Sequence, residues 1–159
     1  MQMPLYTSGY EGLSLEAFLA RLKAVGVEIV IDVRANPLSR KRGFSKRSLA
    51  AALERAGVAY RHAREMGCPK QVRDRYKQDQ DWVKYTRGFL IHLRTQSDAL
   101  VELVGIAKRS SCCLVCFEAD FNRCHRTFVA QAAARLAAFD IVHLTIQTAF
   151  PDAAVRSAA

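Results

Sequence analysis

Residues 112–126 read CCLVCFEADFNRCHR, an apolar run followed by a polar loop and a cluster of Cys, His and Arg. The run at 112–117 predicts a buried strand, because short apolar runs bounded by polar residues are typical of strands covered on both faces. We predict that Asn122 caps an alanine-rich helix over about 123–138. A strand that leads through a tight loop into a helix is the repeating unit of α/β proteins.

The same alternation extends along the whole chain. Predicted strands lie at 5–8, 27–33, 58–60, 112–117 and 141–146, with helical patterns between them. This order predicts a single α/β domain over residues 1–150, Rossmann-like or flavodoxin-like. It has three layers, with helices on both faces of a mainly parallel sheet of about five strands. Residues 151–159 are predicted to form a frayed tail. Ligands of such sheets bind beyond the carboxyl ends of the strands.

Composition and charge narrow the function classes. The chain has 159 residues, half of them apolar and a quarter charged, which fits one globular domain. No apolar stretch approaches the ~18 residues of a membrane span and no signal peptide is visible, so we expect a cytoplasmic protein without membrane contact. The net charge of +9 favours a polyanionic partner such as a nucleotide or nucleic acid. A basic surface that only aids solubility is the alternative.

Familiar signatures are absent from the sequence. It contains no GxxxxGK[ST], GxGxxG, HExxH or GxSxG pattern, so NTPase, dehydrogenase and α/β-hydrolase classes lose their usual support. The five cysteines are an odd number without a secretory signal, which argues against a disulfide framework. Cys113 and Cys116 spell CxxC, but residues three apart on a strand point to opposite faces and cannot share one metal ion.

The loop after the fourth predicted strand carries the most specific group of polar residues. Glu118 follows the strand, and Cys124, His125 and Arg126 fall at the predicted helix start, where backbone N–H groups and the helix dipole attract anions and lower a thiol pKa. We predict that Glu118 is a general acid or base and that Cys124 or His125 is a nucleophile or proton carrier. A capped helix whose Cys and His pack in the core is the alternative.

A second group follows the second predicted strand. Asp32 and Arg34 share a strand face because they lie two apart. Six basic residues and no acidic one occur from 34 to 47, with Phe44 among them, a pattern that suits a phosphate track. Arg34, Arg40 and Arg126 are predicted to hold phosphate through their guanidinium forks. The predicted ligand-binding residues are Ser8, Gly9, Arg34, Ser39, Arg40 and Arg126. The predicted catalytic residues are Glu118, Cys124, His125 and Asp32.

These motifs together resemble a known family. The motifs that carry the resemblance are Tyr6-Thr7-Ser8-Gly9-Tyr10, Asp32-Val33-Arg34 with Pro37, Ser39 and Arg40, and Cys116-Phe117-Glu118 with Cys124-His125-Arg126. They are similar to the bacterial and archaeal proteins grouped as domain of unknown function 488, over Tyr6 to about Thr145. One departure is Tyr10-Glu11, where members often carry His-Ser. The resemblance implies that the motif residues form one site, and it brings no established reaction.

Three functional classes therefore remain open. The first is a phosphate pocket that binds or processes a nucleotide or nucleic acid, with hydrolysis as the reaction if the protein is an enzyme. The second is a binding or structural module without chemistry, in which Glu118 is fully paired to an arginine and no pocket opens. The third is a transition-metal site built from Cys116, Cys124, His125 and Glu118. The spacing of these residues fits no common zinc ribbon, so we assign no metal. The sequence also indicates no cofactor and no oligomeric state.

Overall fold

The computed structural model describes residues 3–145 and 149–151. The strands are β1 Leu5–Gly9, β2 Ile29–Asp32, β3 Ala59–His62, β4 Cys112–Cys116, β5 Ile141–Leu144 and β6 Ala149–Pro151. The helices are α1 Leu15–Ala24, α2 Lys46–Arg55, α3 Lys70–Asp79, α4 Trp82–Arg94, α5 Ser97–Arg109 and α6 His125–Ala137. Short 3₁₀ turns occupy Arg64–Met66 and Phe121–Arg123. No helix in these ranges is long and apolar enough to cross a membrane.

The strands form one sheet in the order β3-β2-β4-β1-β5-β6. The first five strands are mutually parallel, and β6 is antiparallel to β5. The predicted mainly parallel α/β sheet is therefore confirmed. Because β4 lies between β2 and β1, the carboxyl ends of the three strands that carry the predicted motifs are direct neighbours.

Two apolar clusters cover the two faces of the sheet and make the three layers. One cluster packs α1 and α2 against one face, with Phe18 and Leu53 fully buried. The other packs α4, α5 and α6 against the opposite face, with Phe89 at its centre. Along β4 the side chains alternate between the clusters, so Cys113 and Cys116 lie on opposite faces as predicted.

The start of α6 differs from the prediction. Asn122 lies in the 3₁₀ turn and its backbone N–H donates to the Asp120 carboxylate at 2.9 Å, so Asp120 caps this turn. The helix begins at His125, with Cys124 at the N-cap and no side-chain capping bond. The turn therefore places Cys124 and His125 directly on the first helical turn.

The carboxyl-terminal predictions fall partly outside the described ranges. β5 ends at Leu144, and Ile146, which we predicted as its last residue, lies outside them. The predicted tail over 151–159 also lies outside them apart from Pro151, the last residue of β6.

Candidate functional site

The strand register brings the predicted motifs to one edge of the sheet. Asp32 pairs with Val115 across β2 and β4, and Gly9 pairs with Cys116 across β1 and β4. A Cβ atom at position 9 would lie 1.8 Å from the backbone oxygen of Glu118, so only glycine fits there. The close approach holds the loop after β4 against the end of β1.

A closed hydrogen-bond network fills the end of β2. The Arg34 guanidinium forms a two-pronged salt bridge with Asp32, at 2.8 Å from Nε to Oδ1 and 2.7 Å from Nη2 to Oδ2. Asp32 is fully buried and also accepts from the Arg34 backbone N–H and from the Tyr60 hydroxyl at 2.5 Å. Burial and the bond to Asp32 raise the pKa of Tyr60. Asp32 therefore serves as the positioning partner of Arg34.

Tyr10 and Phe44 belong to the same network. Arg34 Nη1 donates to the Tyr10 hydroxyl at 2.9 Å and to the Phe44 carbonyl oxygen. The Tyr10 and Phe44 rings stack, with centroids 4.3 Å apart. Burial works against the charge on Arg34, but its bonds to Asp32 and Tyr10 raise the pKa of the guanidinium.

The end of β4 and the start of α6 together hold a cluster of Cys116, Cys124 and His125, all buried. His125 Nε2 lies 2.7 Å from the Val33 carbonyl oxygen, which can only accept, so Nε2 carries a proton. Nδ1 then faces the thiols, 3.9 Å from Cys116 Sγ. The hydrogen bond to Val33 joins the first turn of α6 to the end of β2.

Glu118 and Arg126 complete this region with unused bonding capacity. Arg126 is fully buried, and it donates to the Thr7 hydroxyl and to the backbone carbonyl of Glu118. Glu118 forms no salt bridge among the described residues. Within the same described part, Glu118 Oε2 and Arg126 Nη2 are buried atoms without a hydrogen-bond partner. Buried polar atoms of this kind mark places where a ligand or water can bind.

The pKa values of the four ionisable groups in this region are shifted in different directions. Burial and the neighbouring Cys124 raise the pKa of Glu118 to about 7. Burial would raise the pKa of Cys124, but the hydrogen bond from Cys116 and the charges of Arg126 and His125 hold it well below its usual value. The pKa of Cys116 is raised by its bond to Cys124 and by burial. Burial lowers the pKa of His125, yet its interactions with Cys124 and the Val33 carbonyl leave it raised.

A cleft of about 650 Å³ opens beside these strand ends. Its walls are the β2–α2 loop, helices α3 and α4, and the loop after β4. Of the described residues that line it, five are cationic and Glu118 is the one acidic. The cations are Arg34, Arg40, Arg73, Lys77 and Arg123. Arg34 is paired with Asp32, and no salt bridge of the described residues involves the other four.

An aromatic group lines the wall formed by α3 and α4. Trp82 stacks on Tyr85 at a centroid distance of 4.6 Å and contacts Tyr76 edge-on at 5.6 Å. The Arg123 guanidinium lies 5.5 Å from the Trp82 ring centroid. Cationic and aromatic groups therefore share one cleft.

The predicted site residues fall into two sets. Those that line the cleft are Arg34, Ser39, Arg40, Glu118 and His125. Those that lie behind its wall are Ser8, Gly9, Asp32, Cys124 and Arg126. Ser8 faces the α1 side of the sheet, where its hydroxyl accepts from Arg21 at 2.9 Å. Cys124 is 1% exposed, so Cys116 is the thiol of the cluster that reaches the cleft.

Sequence reasoning missed the wall formed by α3 and α4. No residue of this wall is among the site residues predicted from the sequence, although the wall supplies Arg73, Tyr76, Lys77, Trp82 and Tyr85 to the cleft. Helix α3 buries none of its residues, so no apolar periodicity orients it. The sequence feature that could have indicated this wall is the polar helix that follows Gly67. A Cβ at Gly67 would lie 2.4 Å from the Ala35 backbone, a contact that holds this segment against the β2–α2 loop.

These features define the class of the protein: a mainly parallel α/β domain whose candidate site lies at the carboxyl ends of β1, β2 and β4. The chain belongs to the family described as Domain of unknown function DUF488, whose model matches residues 14–133. The predicted membership of this family is thereby confirmed. No curated protein and no solved structure matches the chain.

Proposed function

We propose that the cleft binds a phosphate-bearing ligand with an aromatic base, a nucleotide or a segment of single-stranded nucleic acid. The observation that carries this proposal is the presence of four cations without salt-bridge partners around one cleft that also exposes an aromatic cluster. Arginine forks match phosphate oxygens, and aromatic rings stack on bases. The volume lies within the range of small-molecule sites, which is roughly 300–1,000 Å³.

The arrangement favours binding over a purely structural role. A module braced only by ion pairs would have Glu118 paired to an arginine and no open pocket. Instead Asp32 takes up the Arg34 charge, Glu118 lies outside every salt bridge of the described residues, and the cleft is open. Arg40, Arg73 and Lys77 on the cleft walls would neutralise phosphate. Trp82 and its aromatic neighbours would contact the base.

The single tryptophan of the chain provides the test. Because Trp82 lines the cleft, a stacked base should quench its fluorescence. We expect a nucleoside triphosphate or a short oligothymidylate to quench wild-type protein at low salt, with an affinity that falls steeply as salt rises. The double variant Arg40→Ala/Arg123→Ala should bind at least about tenfold more weakly, since hydrogen bonds to charged groups are worth roughly 1.5–3 kcal/mol each.

A control variant removes the same charge elsewhere. Lys23 and Lys108 are exposed, lie on α1 and α5, and do not line the cleft. Lys23→Ala/Lys108→Ala should keep most of the affinity. The proposal fails if neither ligand changes the fluorescence or labelled-ligand anisotropy, or if this control weakens binding as much as the cleft variant does.

Hydrolysis of such a ligand is a second candidate function. The favouring observation is the position of Glu118. This residue lines the cleft, and its buried Oε2 atom has no hydrogen-bond partner among the described residues. His125 is the other proton-transfer group on the cleft wall, and Cys124 contacts both of them from behind. Glu118→Gln should then keep ligand binding and lose turnover, measured as product release by chromatography. Turnover that survives this substitution would remove Glu118 from the reaction.

A further inference from the structure

We infer that Cys116, Cys124 and His125 form a binding site for one thiophilic divalent cation of the zinc type, beneath the floor of the cleft. Cys116 Sγ, Cys124 Sγ and one ring nitrogen of His125 all lie within 4.8 Å of one another. Two sulfur ligands and an imidazole are the donors that zinc prefers. This site goes beyond ligand binding in the cleft and does not depend on it.

The spacing of the donors fits tetrahedral zinc. Zn–S bonds of about 2.3 Å and Zn–N bonds of about 2.0 Å place a sulfur and a nitrogen ligand roughly 3.6 Å apart and two sulfurs roughly 3.8 Å apart. Cys116 Sγ and His125 Nδ1 are separated by 3.9 Å. Small side-chain rotations therefore bring the three atoms to coordination distance.

The histidine is oriented as a ligand should be. Its Nε2–H donates to the Val33 carbonyl oxygen at 2.7 Å, which leaves Nδ1 directed at the two sulfurs. Metal-binding histidines almost always donate their second ring N–H to a carbonyl, carboxylate or water, which fixes the tautomer and the ring. Here the Val33 carbonyl oxygen, directly after β2, accepts this hydrogen bond.

The surroundings supply charge balance and an open side. Arg126 is fully buried near both thiols and donates only to the neutral Thr7 hydroxyl and Glu118 carbonyl among its described partners. A buried cation needs nearby negative charge, which two metal-bound thiolates provide. Cys116 and His125 also line the cleft, and the Glu118 carboxyl group lies against Cys124. Glu118 or water can thus take the fourth position.

The sequence left a metal site of Cys116, Cys124, His125 and Glu118 open as one of three classes, and spacing alone did not favour it. Cys116 ends a strand and Cys124 lies at the start of a helix, with seven residues between them, and this spacing matches no zinc-ribbon pattern. The CxxC pair of Cys113 and Cys116 is divided between the two faces of the sheet, and the partner of Cys116 is Cys124 instead.

Metal analysis of the full chain tests the inference. After incubation with Zn²⁺ and dialysis, bound zinc is measured by elemental mass spectrometry. Wild-type protein should retain about one zinc per chain, and the variants Cys116→Ser and Cys124→Ser should each retain at least tenfold less. Cys113→Ser is the matched control, because Cys113 is buried in the same strand but faces the other layer. It should retain zinc as the wild type does.

A measurement on the wild-type protein guards against variants that do not fold. Co²⁺ added to metal-free protein should give a thiolate-to-cobalt charge-transfer band and tetrahedral d–d bands, and Zn²⁺ should displace both. The inference is overturned if wild-type protein retains no zinc and shows no charge-transfer band. It is also overturned if folded Cys124→Ser keeps the metal, or if Cys113→Ser loses it to the same extent. Nucleotide quenching of Trp82 is an independent readout, so failure of one proposal is distinguishable from failure of the other.

Discussion

Two neighbouring strand ends, at Asp32 on β2 and at Glu118 after β4, differ in how completely their charged groups are paired. Asp32 accepts four hydrogen bonds from Arg34 and Tyr60, and nothing in that network lacks a partner among the described residues. At the end of β4, Glu118 and Arg126 each keep one buried atom without a partner in the described part of the chain. The contrast teaches that the β2 end is scaffold, whereas the β4 end keeps buried bonding capacity that the proposed ligand would use.

The sharpest way to break this comparison is to remove the carboxylate of the scaffold. Asp32→Asn leaves the buried Arg34 charge uncompensated, and we expect the free energy of unfolding to fall by about 3–5 kcal/mol. Urea denaturation monitored by circular dichroism measures the loss. Glu102→Gln is the control, since Glu102 forms an exposed salt bridge with Arg61 and should change stability by at most about 1 kcal/mol. Equal losses in both variants would contradict the scaffold role.

The second prediction concerns the contact that holds the loop after β4 against the end of β1. Gly9→Ala would place a methyl group against the Glu118 carbonyl, and we expect a loss of about 1–3 kcal/mol because backbone must move. Gly105→Ala is the matched control in α5, where the nearest atom to the added Cβ is a side-chain atom at 3.7 Å. That change should stabilise the protein by about 0.5–1 kcal/mol through helix propensity. A neutral Gly9→Ala in the same urea assay would show that the loop after β4 is not held there.

Much of this architecture could be predicted from the sequence, because its causes are local. The alternation of apolar strands with helical periodicity predicted the parallel sheet. The spacing of two between Asp32 and Arg34 predicted that their side chains would lie together, and they pair, although β2 ends at Asp32 and Arg34 lies beyond the strand. The strand periodicity of 112–116 also placed Cys113 and Cys116 on opposite faces.

The remainder depends on how loops pack, which local patterns do not encode. The 3₁₀ turn that moves the cap from Asn122 to Cys124 depends on the Asp120 side chain closing it. The wall formed by α3 and α4 depends on the contact between Gly67 and Ala35, residues distant in sequence. The sequence left a site with Cys116 and Cys124 open as one of three classes, and the fold of the loop after β4 is what brings the two thiols together.

The third prediction concerns Glu118, at the β4 end of the comparison. Glu118→Gln replaces a buried carboxyl group that has no salt bridge among the described residues, and we expect it to stabilise metal-free protein by about 1 kcal/mol. Urea denaturation in the presence of a chelator measures the gain, beside the same substitution at exposed Glu102. If Glu118→Gln destabilises the protein as Asp32→Asn does, both strand ends are scaffold and the contrast disappears.

The smallest expected change in stability comes from the cations of the cleft, and it separates binding from folding. Lys77 is exposed on α3, forms no salt bridge among the described residues and lines the cleft. Lys77→Ala should leave the free energy of unfolding within about 0.5 kcal/mol of the wild-type value, because it removes no buried contact. If Lys77 meets a phosphate of bound oligothymidylate, its loss should reduce the slope of log Kd against log salt by about 1, since one fewer counterion is released. Fluorescence anisotropy over a salt series measures that slope, with Lys108→Ala, on the distant end of α5, as the control that should leave it unchanged. A slope that is the same in both variants would remove Lys77 from the binding surface, and a loss of stability would place it in the scaffold with Asp32.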